Sequence, residues 1–420
     1  MSDLVVELYG EPIGRLVGSS ATYDFVASAD AVETYGLDST VLSLAVPLAL
    51  VAPRGRKPRR QNFFAEMLPE GRMLSRLAAM AGVNERDVIG MLRVYGRDVA
   101  GALQIWDPDV PGEPRTPKLE PVGEQGVADL LSEVGAFPLA NKPAGGKTSL
   151  AGVQDKIVLV RHDDGWHRAL DGYPSTHILK PVTSDFPSMI YDEEYGARFA
   201  QALGLTTYET FIEEFAGESA LVIERYDRGD RTDGVPSRLH QEDFNQVLGA
   251  RGDQKYQKYG GKVSMKRIAG ELSALGDSAS LRKLATMTVL AAAIGNLDMH
   301  AKNISLLHHP DGSVEIAPAY DVVPQRHLPN DGELALAVDG VYQHAAVTRA
   351  DLVAEVTSWR LRDAEALVDD ALADIAEIVE AEVPADGAHP GLVEDIRAFT
   401  ANLRAGRSAG AELSSSRGRQ

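Results

Sequence analysis

The chain has no cysteine among its 420 residues. That absence excludes disulfides, thiolate zinc sites, iron–sulfur clusters and any cysteine nucleophile, and it suits a reducing compartment. Long apolar runs are missing too. The longest, around residues 41–51 and 286–295, fall short of the roughly 20 residues that a bilayer span needs. Basic residues are in the minority: 42 Lys and Arg stand against 61 Asp and Glu, a net charge of −19. A surface of that sign repels a phosphate backbone, which disfavours nucleic-acid binding by the chain as a whole; solubility is the plain reading of the charge. Met1-Ser-Asp-Leu-Val-Val has an acid at position 3 and no basic stretch, unlike a secretory signal. The expectation is a soluble cytoplasmic protein without membrane association.

What remains is enough for several cores. The chain is 44% apolar and 25% charged, and at roughly 100–200 residues per domain its length implies two or three domains. Residues 3–28 alternate apolar and polar and read as short antiparallel strands. Over 63–104 the period turns helical, and Gly101-Ala-Leu-Gln-Ile-Trp106 closes the block as a strand. Pro108, Pro111, Pro114, Pro117 and Pro121 then crowd a stretch that reads as a linker.

A second β-rich block follows. Two strands flank His162-Asp-Asp-Gly165 as a hairpin, and Thr176-His-Ile-Leu-Lys180 is another strand. A helix is expected over 188–203, with Tyr195, Phe199, Ala202 and Leu203 on one stripe, then a strand pair over 208–226 turning at Gly217. From His240 to about 405 the chain reads as helical except for strands near 304–321. The expected domains are an N-terminal α/β subdomain (1–106), a linker (107–124), a β-rich nucleotide-binding lobe (125–228), a helical catalytic lobe (229–405) and a disordered tail (406–420). A five-strand lobe with one helix, followed by a helical lobe, suggests an α+β bilobal phosphotransferase.

Three segments carry candidate chemistry. In Thr148-Ser-Leu-Ala-Gly-Val-Gln-Asp-Lys156 the small Ala151 and Gly152 would let backbone N–H groups approach phosphates, although an ordinary turn before a strand fits as well. Lys180 ends an apolar strand and suits a nucleotide phosphate, although a strand-terminal Lys is usually a solvated end; Glu193 and Glu194 of the next helix are its candidate ion-pair partners, with Glu194 favoured. Asn296-Leu-Asp-Met-His-Ala-Lys-Asn303 is the strongest. Asp298 and Asn303 are five apart, the Asp-to-Asn spacing of a protein-kinase catalytic loop. That spacing lets one loop present a carboxylate to an incoming hydroxyl and an amide oxygen to a metal. Asp321 follows a hairpin, so Asn303 and Asp321 together supply the oxygen ligands Mg²⁺ takes beside nucleotide phosphates. A structural hydrogen-bonding role for His300 outranks general-base work.

The assembled pattern resembles the HipA family of bacterial toxin serine/threonine kinases over most of the chain. Leu42-Ser-Leu-Ala-Val-Pro-Leu48, Phe63-Phe-Ala-Glu-Met-Leu-Pro69 and Gly96-Arg-Asp-Val-Ala-Gly101 match that family's N-terminal subdomain. Ser149-Leu-Ala-Gly-Val-Gln-Asp-Lys156, His177-Ile-Leu-Lys-Pro181, Glu224-Arg-Tyr-Asp-Arg228, His240-Gln-Glu-Asp243, His300-Ala-Lys-Asn303 and Tyr320-Asp321 match its kinase portion.

The resemblance implies a bilobal protein-kinase-like fold with an additional N-terminal α/β subdomain and a mostly helical C-terminal lobe. It makes Leu150, Ala151, Gly152, Val153, Gln154 and Asp155 the phosphate loop, and it brings Lys180 to the nucleotide. Glu224, Arg225 and Tyr226 would lie at the hinge against adenine, and Asp298 would be the catalytic Asp. His300, Ala301, Lys302 and Asn303 would lie near the phosphates of ATP, with Tyr320 and Asp321 closing the site and Asn303 and Asp321 binding Mg²⁺.

It implies also a helix-turn-helix antitoxin of the HipB type, DNA contacted mainly through that antitoxin, and a translation component such as an aminoacyl-tRNA synthetase as target. Ser149 stands at the family's autophosphorylation position, with Thr148 the neighbouring rival. One departure is Met299, where many relatives have glycine between the Asp and His. A pseudokinase scaffold or a small-molecule kinase is the alternative reading.

Overall fold

A computed structural model of the protein describes residues 3–20, 22–141, 147–152, 154–162, 165–232 and 234–411. The chain divides into two compact units. One comprises Met1–Val182, Tyr208–Gly252 and Leu306–Val314; the other comprises Thr183–Thr207, Asp253–Ser305 and Glu315–Gln420.

The first unit begins with an antiparallel sheet of β1 (Leu4–Leu8), β2 (Glu11–Val17), β3 (Asp24–Ala27) and β4 (Leu103–Trp106), in the order β3-β2-β1-β4. The alternation over 3–28 produces these strands. Helices α1 (Ala29–Tyr35), α2 (Lys57–Ala65), α3 (Gly71–Ala81) and α4 (Val88–Tyr95) complete the module. Leu4, Val6, Phe25, Phe63, Phe64, Leu77 and Leu92 share its core. Phe63 and Phe64 meet edge to face at 5.1 Å, a favoured aromatic geometry.

A six-stranded sheet follows: β5 (Lys118–Val122), β6 (Ile157–His162), β7 (Gly165–Leu170), β8 (His177–Pro181), β9 (Thr210–Phe215) and β10 (Glu218–Glu224), in the order β5-β7-β6-β8-β10-β9. The proline-rich stretch contributes β5, which pairs antiparallel with β7 at the sheet edge, Pro121 opposite His167. An edge tolerates proline because one side of the strand needs no donor. β9 and β10 turn through Ala216 and Gly217, at φ 48° and 92°, as the glycine at 217 leads one to expect. Helix α5 (Glu124–Ser132) buries Val127, Leu130 and Leu131 with Ile157, Leu179 and Val222.

A ribbon of β11 (Arg228–Thr232) and β12 (Val235–Arg238) comes next, then β13 (His240–Asp243). The sequence reading put no strands over 228–238. Their residues are polar and charged, so no apolar alternation marks them.

Between β8 and β9 the chain forms α6 (Met189–Ala202), which belongs to the second unit together with α8 (Met265–Ala274), α9 (Ser278–Ile294), α10 (Arg349–Ser358), α11 (Ala364–Ala381) and α12 (Leu392–Arg404). The short α7 (Phe244–Val247) stays in the first. Helix α9 is buried along most of its length and packs against α6, α8, α11 and α12. After β14 (Ser305–His308) and β15 (Val314–Ile316), a hairpin of β16 (Glu333–Val338) and β17 (Val341–Gln343) interrupts the helices. That hairpin was not expected: 334–338 is a short unbroken apolar run, which periodicity alone cannot assign to strand or helix.

Candidate active site

In the first unit, segment 147–149 runs beside Asp98. The Asp98 amide donates to Lys147 O at 3.2 Å and the Ser149 amide to Asp98 O at 3.0 Å. Asn141 brackets Thr148, donating through Nδ2 to its carbonyl at 2.8 Å and accepting from its amide at 3.1 Å. Ser149 is fully buried, and its hydroxyl donates to Met67 O at 3.1 Å. Leu150 enters the core of the N-terminal module. Beyond it Gly152 takes φ 115°, where an added Cβ would stand 2.7 Å from Lys156 Nζ. The Glu70 amide holds Gly152 O at 3.1 Å, and Lys156 Nζ donates to Ala151 O at 3.2 Å. The loop is thus pinned at both ends immediately before β6. Ala151, Gln154 and Asp155 are half-buried along it; Val153 lies outside the described residues.

Lys180 sits buried in β8, opposite Leu221 of β10. Glu194 of α6, the acid favoured for it from the sequence, accepts from Arg198 Nε at 2.7 Å, one turn along the helix. A partner one turn away on the same helix face is close enough to take the carboxylate.

Residues 224–226 follow β10. Tyr226 stacks obliquely on Tyr208, centroids 5.8 Å apart, and its hydroxyl donates to Gln241 Oε1. Glu224 is exposed and its carboxylate accepts from the Glu209 amide at 3.2 Å. Arg225 turns its guanidinium into a buried cluster, donating to Asp227 Oδ2 at 2.8 Å, Ser175 Oγ at 2.8 Å and Val99 O at 3.0 Å. Arg228 and Arg238 reach the same Asp98 oxygen at 2.9 and 3.0 Å. Three guanidinium groups thus share two carboxylates. Burial, with the nearby Arg225 charge, pushes Arg228 down to about 9, whereas the arginines hold Asp98 and Asp227 well below the usual carboxylate range against burial.

In the second unit, α9 stops at Gly295, whose φ of 71° only glycine adopts readily. The loop after it is tightly self-bonded. Asn296 Oδ1 accepts from the Asp298 amide at 3.2 Å, and Asp298 O accepts from the His300 amide at 2.7 Å and from Asn303 Nδ2 at 2.9 Å. Ala301–Asn303 forms a single 3₁₀ turn. Asp298 is half-buried, whereas His300, Ala301, Lys302 and Asn303 are buried. The His300 ring meets Tyr256 edge-on at 5.3 Å.

The Tyr320 hydroxyl donates to Lys302 O at 2.6 Å and lies 2.6 Å from Ser305 Oγ. Asp321 has φ 51°, an uncommon conformation for a residue with a side chain, most often kept where surroundings enforce it. The fold therefore gathers Asp298, His300, Lys302, Asn303, Tyr320 and Asp321 within one unit.

Three contributors escaped the sequence reading. Asn296 caps the Asp298 amide, and Asp98 anchors segment 147–149. Gly196 packs its α-carbon against Val322 O. A glycine inside an amphipathic helix was the visible signal for the last, since it costs stability unless something approaches closely.

No helix among the described residues is long and apolar enough to cross a membrane. The HipA N-terminal domain model matches residues 4–106, and the HipA-like C-terminal domain model matches 148–384. A putative kinase of Sinorhizobium fredii (strain NBRC 101917 / NGR234), Y4mE, is 33% identical over 66% of this chain and 68% of its own. The serine/threonine-protein kinase toxin HipA of Shewanella oneidensis is 24% identical over 81% of each chain. A solved Shewanella oneidensis MR-1 HipA, in complex with HipB and its operator DNA, superposes with a TM-score of 0.76 at 23% identity, covering 96% of both chains. That likeness establishes an α+β, kinase-like fold with the N-terminal module included. The chain belongs to the HipA family.

Proposed function

We propose that this protein is an ATP-dependent serine/threonine kinase that acts as the toxin of a toxin–antitoxin pair in the cytoplasm. The observation that carries the reading is the loop 296–303. The bond from Asn303 Nδ2 to Asp298 O fixes these two residues relative to each other, and the bond from the Tyr320 hydroxyl to Lys302 O ties the residue next to Asp321 to the same loop. In this reading Asp298 orients the acceptor hydroxyl and takes its proton. Lys180 and the backbone of the loop 150–155 hold the phosphates of ATP, and residues 224–226 border adenine, Arg225 only through its backbone.

The donor set fits a hard divalent cation. Asn303 Nδ2 is committed to Asp298 O, so its amide oxygen is the atom to offer, and Asp321 adds a carboxylate. Mg²⁺ accepts such oxygens together with phosphate. When bound, it would neutralise charge on the transferring phosphoryl group.

Family membership supports an antitoxin of the HipB type as partner, with DNA engaged mainly through it. A protein of the translation machinery, such as an aminoacyl-tRNA synthetase, is the proposed substrate. Autophosphorylation is assigned to Ser149. In the conformation described here that hydroxyl is buried against Met67, so the segment must leave its place before modification and cannot return with a phosphate of about −1.5 to −2 charge.

The test is incubation with γ-labelled ATP and Mg²⁺, followed by gel and metabolite analysis. Label on protein supports the kinase reading, label on a metabolite would move it to a small-molecule kinase, and no turnover would leave a pseudokinase scaffold. Growth arrest on overproduction, relieved by Asp298→Asn, is the expected cellular counterpart.

A further inference from the structure

Met299 stands between Asp298 and His300, yet its side chain does not share the half-exposed setting of Asp298. It is 9% exposed. Two small apolar spaces lie against the loop, and both are lined by Ala291, Asn296 and Met299. One extends toward α8 and β16 through Met265 and Leu336, the other toward Asn303, Tyr320 and Val322. Met299 is therefore the apolar loop side chain that lines both spaces, together with Asn296, the cap of Asp298, and in one of them with the candidate metal ligand Asn303.

The backbone permits this. Met299 is absent from the residues with positive φ, so the position makes no demand for glycine. An unbranched thioether with three rotatable bonds suits an irregular gap of this kind. Elsewhere the loop is held by polar bonds: the Ala335 amide donates to Leu297 O at 2.8 Å on one side of Met299, and the His300 amide donates to Asp298 O on the other. Met299 adds the apolar anchor between them. Truncating it would open a hole against the loop that carries Asp298, and surroundings relax into such holes only partly.

We infer that Met299 is a positioning residue: by packing its side chain against the two spaces it sets where the loop carries the Asp298 carboxylate. The role rests on the kinase reading above. A misplacement of about 1 Å at a catalytic group can lower a rate about a hundredfold, so loss of this anchor should act on turnover more than on nucleotide affinity.

The experiment compares full-length wild type, Met299→Ala and Met299→Leu, each shown to unfold cooperatively above the assay temperature. Phosphoryl transfer from ATP to the chain itself and to myelin basic protein is measured, together with hydrogen exchange of the amides of 296–303. Met299→Ala is expected to lose at least tenfold in kcat with KM for ATP within twofold, and its loop amides to exchange at least tenfold faster. Met299→Leu, which refills the space, is expected to stay within threefold of wild type in both. Wild-type kcat in Met299→Ala, unaltered loop exchange, or equal impairment of the leucine variant overturns the role while leaving the kinase reading intact. A wild type that transfers no phosphate overturns both.

Discussion

Gly196, in the middle of α6, lies so close to the segment after Asp321 that an added Cβ would stand 1.9 Å from the carbonyl oxygen of Val322. Backbone cannot yield at that distance without moving. Gly196→Ala should therefore displace 320–324, and Asp321 with it, lowering phosphoryl transfer about a hundredfold for a shift near 1 Å. Labelled-ATP turnover, paired with a thermal scan to exclude global unfolding, checks this. An alanine variant with wild-type turnover would mean that the approach of the two segments is not needed.

Asp298→Asn should remove transfer and spare nucleotide binding, because the carboxylate addresses the acceptor rather than ATP. Asp321→Ala should instead weaken Mg²⁺-ATP affinity itself, measured by calorimetry. Unchanged affinity in the second variant would place the metal on other residues.

Asp98 is the anion for three buried guanidinium groups and the hydrogen-bonding neighbour of 147–149. Removing one member of a buried ion cluster leaves uncompensated charge, so Asp98→Ala should cost about 3–5 kcal/mol in urea unfolding. It should also delete the bond from Thr148 Oγ1 to Asp98 Oδ2 at 3.3 Å and so loosen segment 147–149, with Ser149 modified faster in Mg²⁺-ATP by mass spectrometry. Phosphate confined to Thr148 would reassign the acceptor.

His240 is fully buried, with Nε2 against Leu42 O at 2.7 Å and its ring 5.5 Å from that of His308. Burial, aided by His308, pulls it from 6.5 down to about 3. The folded state thus prefers the neutral ring, and between those values the unfolded chain binds the extra proton. The resulting stability is whole above about 6.5 and is lost as pH falls toward 3, at up to about 1.4 kcal/mol per pH unit for this one group. His240→Asn should flatten the pH dependence of the unfolding free energy between pH 6.5 and 4.5. The same slope in the variant would assign the dependence to other groups, His177 first, which burial draws down to about 4.

Periodicity sufficed for most elements. Strands in 3–28, the hairpin around 162–165, β8, α6 and the turn at Gly217 each carry a local signal: alternation, an apolar stripe or a glycine at positive φ. The ribbon β11–β12 and the hairpin β16–β17 carry none. One is a polar, partly exposed ribbon whose Arg228 and Arg238 pair with Asp98, distant in sequence, and the other is an apolar run without period.

The residues of the candidate catalytic loop were legible because the proposed chemistry needs an acid and an amide at fixed spacing on one short segment. Local sequence therefore determined the family, the α+β class and the candidate set Asp298, Asn303 and Asp321. Tertiary structure decided how other side chains are held: Arg225 turned into the Asp98 cluster, Ser149 buried on Met67, and Met299 packed among α8, α9 and β16. Each of these depends on which atoms approach across tens or hundreds of residues, and burial strengthens or forbids such contacts only once the chain has folded around them.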